Sequence, residues 1–499
     1  MKEQICLITP PSPFLLDERV FLHLGILKVA AVLEQRGHNV DFIDLSGINN
    51  FLDVIRSYVK KNQGKNMTFG ITATTPQVPH AVQICDLIKS EGNHKVILGG
   101  PHCTLMHTAS KREEKNGLEL SDRATKDIKR LTEIFDVLVC GDGEYAIFEA
   151  LEMESGVVDA DDRKSPLFLK NQDFSELPFP ARHLVDPATY NYSIEGHNAT
   201  SLIAQLGCPF RCTFCSGRSS PFLRSIRQRS SESILREIDF LYKTYGYTGY
   251  MFYDDELNVN KSLIELLNKI ADYQEANDVE FRLRGFVKSE LFNEQQAHAM
   301  YRAGFRWLLT GFESGDERIL RNIQKNATRD DNTRCVEAAK KYDLKVKALM
   351  SIGHAGESPE SVENTKNWLL EVEPEDFDCT IITTYPGSPY FDAAIKQEGR
   401  YMYEDPKNGD RLYQASIDYL SKLDYYKGDP EDGYISYVWT DHLTAEELVK
   451  ERGDLEKVVR QKLNIPFNPA RPGLTYEHSM GMGNVDIPFH ILRSTNTEQ

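Results

Sequence analysis

The sequence predicts an α/β protein made of two parallel-sheet units in series, an N-terminal doubly wound domain and a parallel (β/α) partial barrel, followed by a C-terminal extension. Three observations predict it. Short β-type runs alternate with amphipathic helical patterns from the N-terminus to about residue 156, which is the signature of strands joined by crossover helices. A second alternating series of six units begins near residue 198. Beyond residue 396 the alternation stops and the composition turns Tyr-rich. The predicted organisation is therefore 1–156 first domain, 157–197 linker, 198–395 barrel and 396–499 extension.

In the first unit the strand candidates are QICLIT, NVDFID, TFGITA, KVILGG and FDVLVC, with LHLGILKVAAVLEQRG, a stretch near 51–61 and AVQICDLIKSEG as helical patterns between them. In a doubly wound sheet a ligand sits outside the carboxyl ends of the strands. Those ends are the turns around Thr9, Thr72, Gly99 and Gly141. The charged stretch KREEKNGLELSDRATKDIKR at 111–130 interrupts the last crossover and reads as a solvated helix or loop. Around 157–187 the periodicity lapses into VVDADDRKSP and DFSELPFPARHLVDP, with Pro166, Pro178, Pro180 and Pro187, a linker composition.

The second unit offers SLIAQL, GYMFYD, EFRLRGF, RWLLTGF, KVKALMSIG and CTIITTYP as strands, with amphipathic segments such as ESILREIDFLYKTYG between them. Parallel barrels do their chemistry at the carboxyl face. The extension holds Tyr401, Tyr403, Tyr413, Tyr419, Tyr425, Tyr426, Tyr434 and Tyr437, and is the expected place for substrate recognition; the last twenty residues read as a loose tail.

With 58 basic against 75 acidic residues and a formal net charge of -17, a sequence-independent grip on nucleic-acid phosphates is not expected. No segment approaches the roughly 18–20 consecutive apolar residues that span a bilayer, and the N-terminal MKEQICLITPPSP has no signal-peptide run, so the expectation is a cytoplasmic protein without membrane attachment. Six of the nine cysteines are scattered, too sparse for a disulfide framework. The other three cluster: LGCPFRCTFCSG places Cys208, Cys212 and Cys215 in a C-x3-C-x2-C spacing, in the loop that leaves the first barrel strand. Three thiolates suit a [4Fe–4S] cube with one iron left free, because a structural zinc site closes with four ligands. A zinc site completed by a distant His or Cys, and plain reduced thiols, are the alternatives.

The spacing, with Phe214 in the aromatic position before the third cysteine, resembles the signature of the radical S-adenosylmethionine (SAM) enzymes. DFSELPFPARHLVD resembles the segment leading into the barrel in the branch that also carries a cobalamin-binding domain. FYDDEL, GFESGDERIL and TTYPGSPYFD resemble its later barrel segments. The resemblance implies that the open iron binds the amino and carboxylate groups of SAM, which one electron from an external reductant such as flavodoxin or ferredoxin cleaves to a 5′-deoxyadenosyl radical. It also implies that Glu313 and Ser314 contact the amino acid or ribose of SAM. A surface turn is the other reading of ESGDE. Asp254, Asp255 and Glu256 end the second barrel strand and are either a solvated end or a site wall with perturbed ionisation. Arg282 and Arg284 are candidate partners for those carboxylates.

The first domain resembles a cobalamin-binding, Rossmann-like domain. It carries Thr72 and Thr74 followed, after 24 intervening residues, by Gly99 and Gly100, close to that family's hydroxyl and double-glycine pattern. The D-x-H-x-x-G motif that supplies a histidine to cobalt is absent, so the resemblance implies cobalamin bound without a protein imidazole. GDGEYA at 141–146 also satisfies G-x-G-x-x-A, with Gly141 and Glu144 as candidate cofactor contacts. Together the resemblances imply a cobalamin-dependent radical SAM enzyme acting on a small molecule, and a C-methyltransferase first. A radical SAM enzyme with a ring-forming or rearranging outcome, or a non-catalytic zinc or redox-sensing protein, are the alternatives.

Overall fold

The computed structural model describes residues 4–12, 18–116, 123–190, 192–426 and 433–465. The N-terminal sheet contains β1 (Gln4–Thr9), β2 (Asn39–Asp44), β3 (Met67–Thr72), β4 (Lys95–Gly99), β5 (Val137–Gly141) and β6 (Gly156–Ala160), all parallel, in the order β2-β1-β3-β4-β5-β6. Period-2 alternation divides its core between two faces. Ile5 and Leu7 pack with Ile97 and Val139 under the helices α1 (Leu24–Gln35) and, after the next four helices in the chain, α6 (Gly143–Glu152), while Cys6 and Ile8 face the other way with Phe69, Ile71 and Leu98. That second face is covered by α2 (Phe51–Lys61), α3 (Val78–Glu91), α4 (Pro101–Asn116) and α5 (Arg123–Ile134). The strand order reverses between β1 and β3, which opens a crevice at the carboxyl ends.

The second sheet has the order β15-β14-β13-β12-β11-β8-β7. Its antiparallel edge is β7 (Ser193–Ile194). The parallel strands are β8 (His197–Leu202), β11 (Gly249–Phe252), β12 (Arg282–Phe286), β13 (Phe305–Glu313), β14 (Lys345–Ile352) and β15 (Asp376–Ile381), one for each of the six predicted units. A two-residue hairpin of β9 (Gln205–Leu206) and β10 (Arg227–Gln228) frames the cysteine loop. The first barrel strand therefore begins earlier than SLIAQL suggested, and Gln205–Leu206 belongs to the hairpin.

The sheet keeps two edges, so the barrel is partial. The β15 edge is covered by the helix Ala445–Leu463, whose Glu456 accepts from the Cys379 amide at 2.7 Å and whose Arg452 donates to the Cys379 carbonyl at 2.8 Å. These side chains satisfy backbone groups that an open edge would leave to pair with another chain. The Tyr-rich extension, where no periodicity was legible, forms a four-stranded antiparallel sheet of β16 (Ile395–Gln397), β17 (Arg400–Glu404), β18 (Arg411–Ala415) and β19 (Val438–Thr440). The expected loose tail lies outside the described residues.

The segment expected as a linker is tied down at both ends. Residues 157–160 add β6 to the first sheet; four short-period residues running into a charged stretch carry too little pattern to show it. Arg182 is buried against Glu237 at 2.6 Å. Asp142 pairs with Arg227 of β10, and Asp161 accepts from Ser220 Oγ at 2.8 Å and the Phe222 amide at 2.6 Å, so buried polar contacts clamp the first domain to the barrel.

Candidate active site

The cysteine loop leaves β9 through Gly207, whose φ of +90° and close approach to the Ser225 carbonyl exclude a side chain. Its carbonyls are held by charge: Arg224 donates to those of Phe210, at 2.8 Å, and Pro209, and Arg218 donates to that of Arg211 at 2.8 Å. Thr213 donates from its amide to the Ile323 carbonyl at 2.8 Å, and Phe214 packs against Ile319, Leu320 and Ile323. The loop is thus held at several points by the chain's own contacts. Cys208 is half-buried, Cys212 buried and Cys215 exposed. Burial pushes the Cys208 thiol up to about 12, the Cys215 thiol to about 11, and the Cys212 thiol upward against the pull of Lys325 and Lys288. A ligated thiolate in such surroundings needs the compensation that metal supplies. Among the described residues no three His, Cys, Asp or Glu side chains converge on a single ion. The thiolates of a cube each hold a different iron and need not converge.

Cys215, Asp255 and Tyr253 have open area around them, Tyr253 to 39%. Yet burial raises the Asp255 carboxyl and pushes the Tyr253 hydroxyl to about 12. Phe21 from the first domain stands 5.4 Å from the Tyr253 ring, and Tyr426 from the extension acts on the Tyr253 hydroxyl. Tyr253 therefore lies where the first domain reaches the carboxyl end of the barrel sheet.

Asp254 and Asp255 anchor the start of the cysteine loop, accepting from the amides of Ala204 and Gly207, each at 2.8 Å. Burial pushes Asp254 up to about 8 and leaves its Oδ2 without a partner among the described residues; Glu256 rises to about 7 by burial, against the pull of Lys325 and Lys288. Glu313 ends β13 at φ +66°, where the register with β14 shifts. A non-glycine residue held there stores strain, as functional sites do. Burial opposes its ionisation, but Lys325 at 3.1 Å and Ser351 Oγ at 2.8 Å hold the carboxyl below its usual range. Ser351 in turn meets His354 Nε2 at 2.8 Å, and burial lowers that imidazole to about 4, so it is neutral. Lys288 lies 4.2 Å from the Phe210 ring. Lys288, Lys325, Ser351 and His354 were not found by sequence reasoning; each is distant in the chain, and only the tail of SIGHAGE, at a strand's carboxyl end, hinted at one. Ser314 does not join this group: its hydroxyl meets Thr365 Oγ1 at 3.1 Å and accepts from the Asp316 amide. The proposed partnership of Arg282 and Arg284 with the carboxylates does not form. Arg282 starts β12, at the amino end of the sheet, and pairs with Glu280 at 2.6 Å and Glu195 at 3.5 Å; Arg284 lies over Trp307.

Facing this site, at the carboxyl ends of the first sheet, is a cavity of about 250 Å³. Thr72, Gly99, Gly100, Gly141 and Glu144 line it together with Gly25, Lys28, Gly70 and Ile147, while Ile203, Leu206 and Phe222 close it from the barrel side. Thr74 does not; its hydroxyl is exposed and donates to Gln77 Oε1 at 2.8 Å. Gly100 has φ +98°, and a Cβ there would stand 2.7 Å from Thr72 Oγ1; a Cβ on Gly25 would meet nothing within 4 Å, in the cavity itself. Backbone thus forms the wall where a bulky group would approach, which fits cobalamin. No histidine is among the described residues lining the cavity.

Two family models match these two walls. The B12 binding domain matches residues 19–118 and the radical SAM superfamily matches residues 202–369. The chain belongs to the radical SAM enzymes that carry a B12-binding domain. The cofactors of this radical SAM enzyme are a [4Fe–4S] cluster, SAM and cobalamin. It is 29% identical over 480 residues to an uncharacterized methyltransferase of Pyrococcus horikoshii, covering 93% of this chain and 99% of that one. It is 24% identical to the bacteriochlorophyllide d C-12(1)-methyltransferase of Chlorobaculum tepidum, over 72% of this chain and 74% of that one. Among solved structures, the radical SAM methyltransferase TsrM from Kitasatospora setae, with cobalamin and a [4Fe–4S] cluster bound, shares the fold with a TM-score of 0.61 at 16% identity, over 94% of this chain and 90% of that one. No helix among the described residues is long and apolar enough to cross a membrane.

Proposed function

We propose that this radical SAM enzyme is a cobalamin-dependent methyltransferase that methylates an unactivated carbon of a small molecule. The observation that carries the reading is the shared wall: Ile203, Leu206 and Phe222, which flank the cysteine loop, also close the cavity at the carboxyl ends of the first sheet. Cys208, Cys212 and Cys215 would hold three irons, with Phe214 packing the loop in place. Glu313, with its Lys325 and Ser351 partners, and Asp254, with its unpartnered Oδ2, would receive the polar end of SAM. Thr72, Gly99, Gly100, Gly141 and Glu144 would hold cobalamin. When bound, the cluster with SAM supplies a 5′-deoxyadenosyl radical and cobalamin supplies a transferable methyl group.

The chain's own residues do the rest. The mostly apolar junction keeps water from a reactive centre, and the polar clamps Asp142–Arg227 and Asp161–Ser220 hold the two domains in fixed register, so that reacting groups meet in one orientation. Phe21 and Tyr253, in ring contact at this junction, suit a flat, largely apolar substrate. TsrM has been solved with tryptophan, and one relative is named for a bacteriochlorophyllide. Nine free cysteines suit a reducing cytoplasm, where an external one-electron reductant such as flavodoxin or ferredoxin would serve the cluster.

The test is isotopic. With tryptophan or a bacteriochlorophyllide as the offered substrate, SAM carrying a fully deuterated methyl group should give product that keeps every deuteron, with both S-adenosylhomocysteine and 5′-deoxyadenosine released. 5′-Deoxyadenosine beside an unmethylated, cyclised or rearranged product would overturn methyl transfer.

A further inference from the structure

A chain with a formal net charge of -17 gathers five arginines at its cysteine loop. Arg224 and Arg218 donate to the carbonyls of Pro209, Phe210 and Arg211, the three residues between Cys208 and Cys212. Burial, and then the charges of Arg211, Arg224 and Arg112, act to lower Arg218, so these four guanidiniums share one neighbourhood. Arg163, which follows β6 of the first domain, reaches the same segment and donates from Nε to Ser225 Oγ at 2.6 Å. Arg112, Arg163 and Arg211 are exposed, and Arg218 and Arg224 are half-buried. Of the five, Arg112 alone has an ion-pair partner among the described residues, Asp392 at 2.6 Å. Asp161, close by, is buried and engaged by Thr108, Ser220 and the Phe222 amide, while Asp162 accepts from the Lys164 amide. Like charges gathered without counter-charges repel one another, and an anionic partner relieves that repulsion.

The place of the arginines selects the partner. A nucleic-acid backbone needs a track of cations to run along, and the rest of this chain is more acidic still. An electron carrier needs only a brief contact near the cluster; such encounters bury little surface and are steered by opposite charge. Here the guanidiniums sit on the chain between two of the cluster's thiols, and Ile226, the residue after Ser225, is 37% exposed beside them. An apolar contact ringed by charge is the usual make-up of an interface. We infer that this face is the docking surface for an acidic one-electron carrier protein of the flavodoxin or ferredoxin type, received by Arg163, Arg211 and Arg218. One electron leaves the reduced carrier, which is oxidised by one, and the cluster is reduced by one. The inference rests on the reading that an external carrier serves the cluster.

The experiment measures binding of a fluorescently labelled bacterial flavodoxin, and of a labelled ferredoxin, to the full-length protein with and without its cluster. Reduction of the cluster by each carrier, and separately by dithionite, is followed by visible absorption. Wild type should bind a carrier at low salt in both forms and lose affinity as salt rises. Arg163→Glu with Arg211→Glu should weaken binding by about tenfold or more and slow reduction by the carrier, with reduction by dithionite unchanged. Arg163→Gln with Arg211→Gln should fall between, and decides the matter if the first pair fails to hold a cluster. The same charge reversal at Lys60 and Lys61, exposed on α2, should alter binding by less than about twofold. Wild-type binding by the arginine pair variant overturns the inference, and so does equal weakening by the lysine pair, which would make the effect one of net charge. Binding of transfer RNA but of neither carrier, lost in the arginine variant, would make the face a nucleic-acid surface and also overturns it. If dithionite reduces the wild-type cluster and neither carrier binds or reduces it, the external-carrier reading itself fails.

Discussion

Replacing Glu237 by Gln removes one charge from the buried group that joins the interdomain segment to the barrel. Glu237 is 1% exposed; its Oε1 accepts from Arg182 Nη1 at 2.6 Å and its Oε2 from Arg229 Nη1. Burial alone would raise its carboxyl, but the two guanidiniums outweigh that and hold it at about 2, against an ordinary 4.5. That difference is worth about 3 kcal/mol of stability at neutral pH. The amide keeps the shape but leaves two buried guanidiniums with a neutral acceptor, and breaking a buried pair costs about 3–5 kcal/mol. In a unit of about 200 residues each kcal/mol moves the melting temperature by about 2–4 °C. Scanning calorimetry of Glu237→Gln should therefore show the barrel transition lowered by about 6–20 °C. Because the folded value lies below the unfolded one, the stabilisation is fully present above about 4.5 and fades as pH falls through about 2. The difference between variant and wild type should thus be constant from pH 6 to 9 and narrow only in acid. A drop of less than about 3 °C, or a difference that changes between pH 6 and 9, would refute the reasoning.

Two further outcomes are expected. Cys208→Ala, Cys212→Ala and Cys215→Ala should each abolish the cluster's visible absorption and its iron and sulfide content after anaerobic reconstitution, while Cys335→Ala and Cys379→Ala, buried in the barrel core, should retain them; a full cluster in Cys212→Ala would contradict the ligand set. Asp254, pushed up to about 8 by burial, keeps a proton in the folded state that the unfolded chain has released above about 4, so its contribution to stability falls as pH rises from 4 to 8. Asp254→Asn should be at least as thermostable as wild type at pH 7.5, with the gap widening from pH 5 to 8; parallel melting curves across that range would show the carboxyl to be ionised.

The cysteine loop and most of the two parallel sheets were legible because their signals are local. Strand period, crossover spacing and the C-x3-C-x2-C interval are properties of neighbouring residues, and they carry over into any fold that contains them. The antiparallel sheet of the extension was not legible: β16 to β19 are three to five residues long and separated by irregular chain, so no period has room to establish itself. Nor was β6, whose last residues run straight into a charged segment.

The amino-acid sequence by itself determined the order of the domains, the three thiols on one loop, and the glycines at the strand ends, where a positive φ or a close approach rules out a side chain. Only the tertiary structure decided which charges act together. Lys325 meets Glu313, Ser351 meets His354, Arg182 and Arg229 meet Glu237, and Lys28 lines the cavity, while Ser314, Thr74 and Arg282 turn elsewhere. Hydrogen bonding and ionisation depend on burial and on partners within a few ångströms, and in a folded chain those partners come mostly from other elements, at separations that no local pattern encodes.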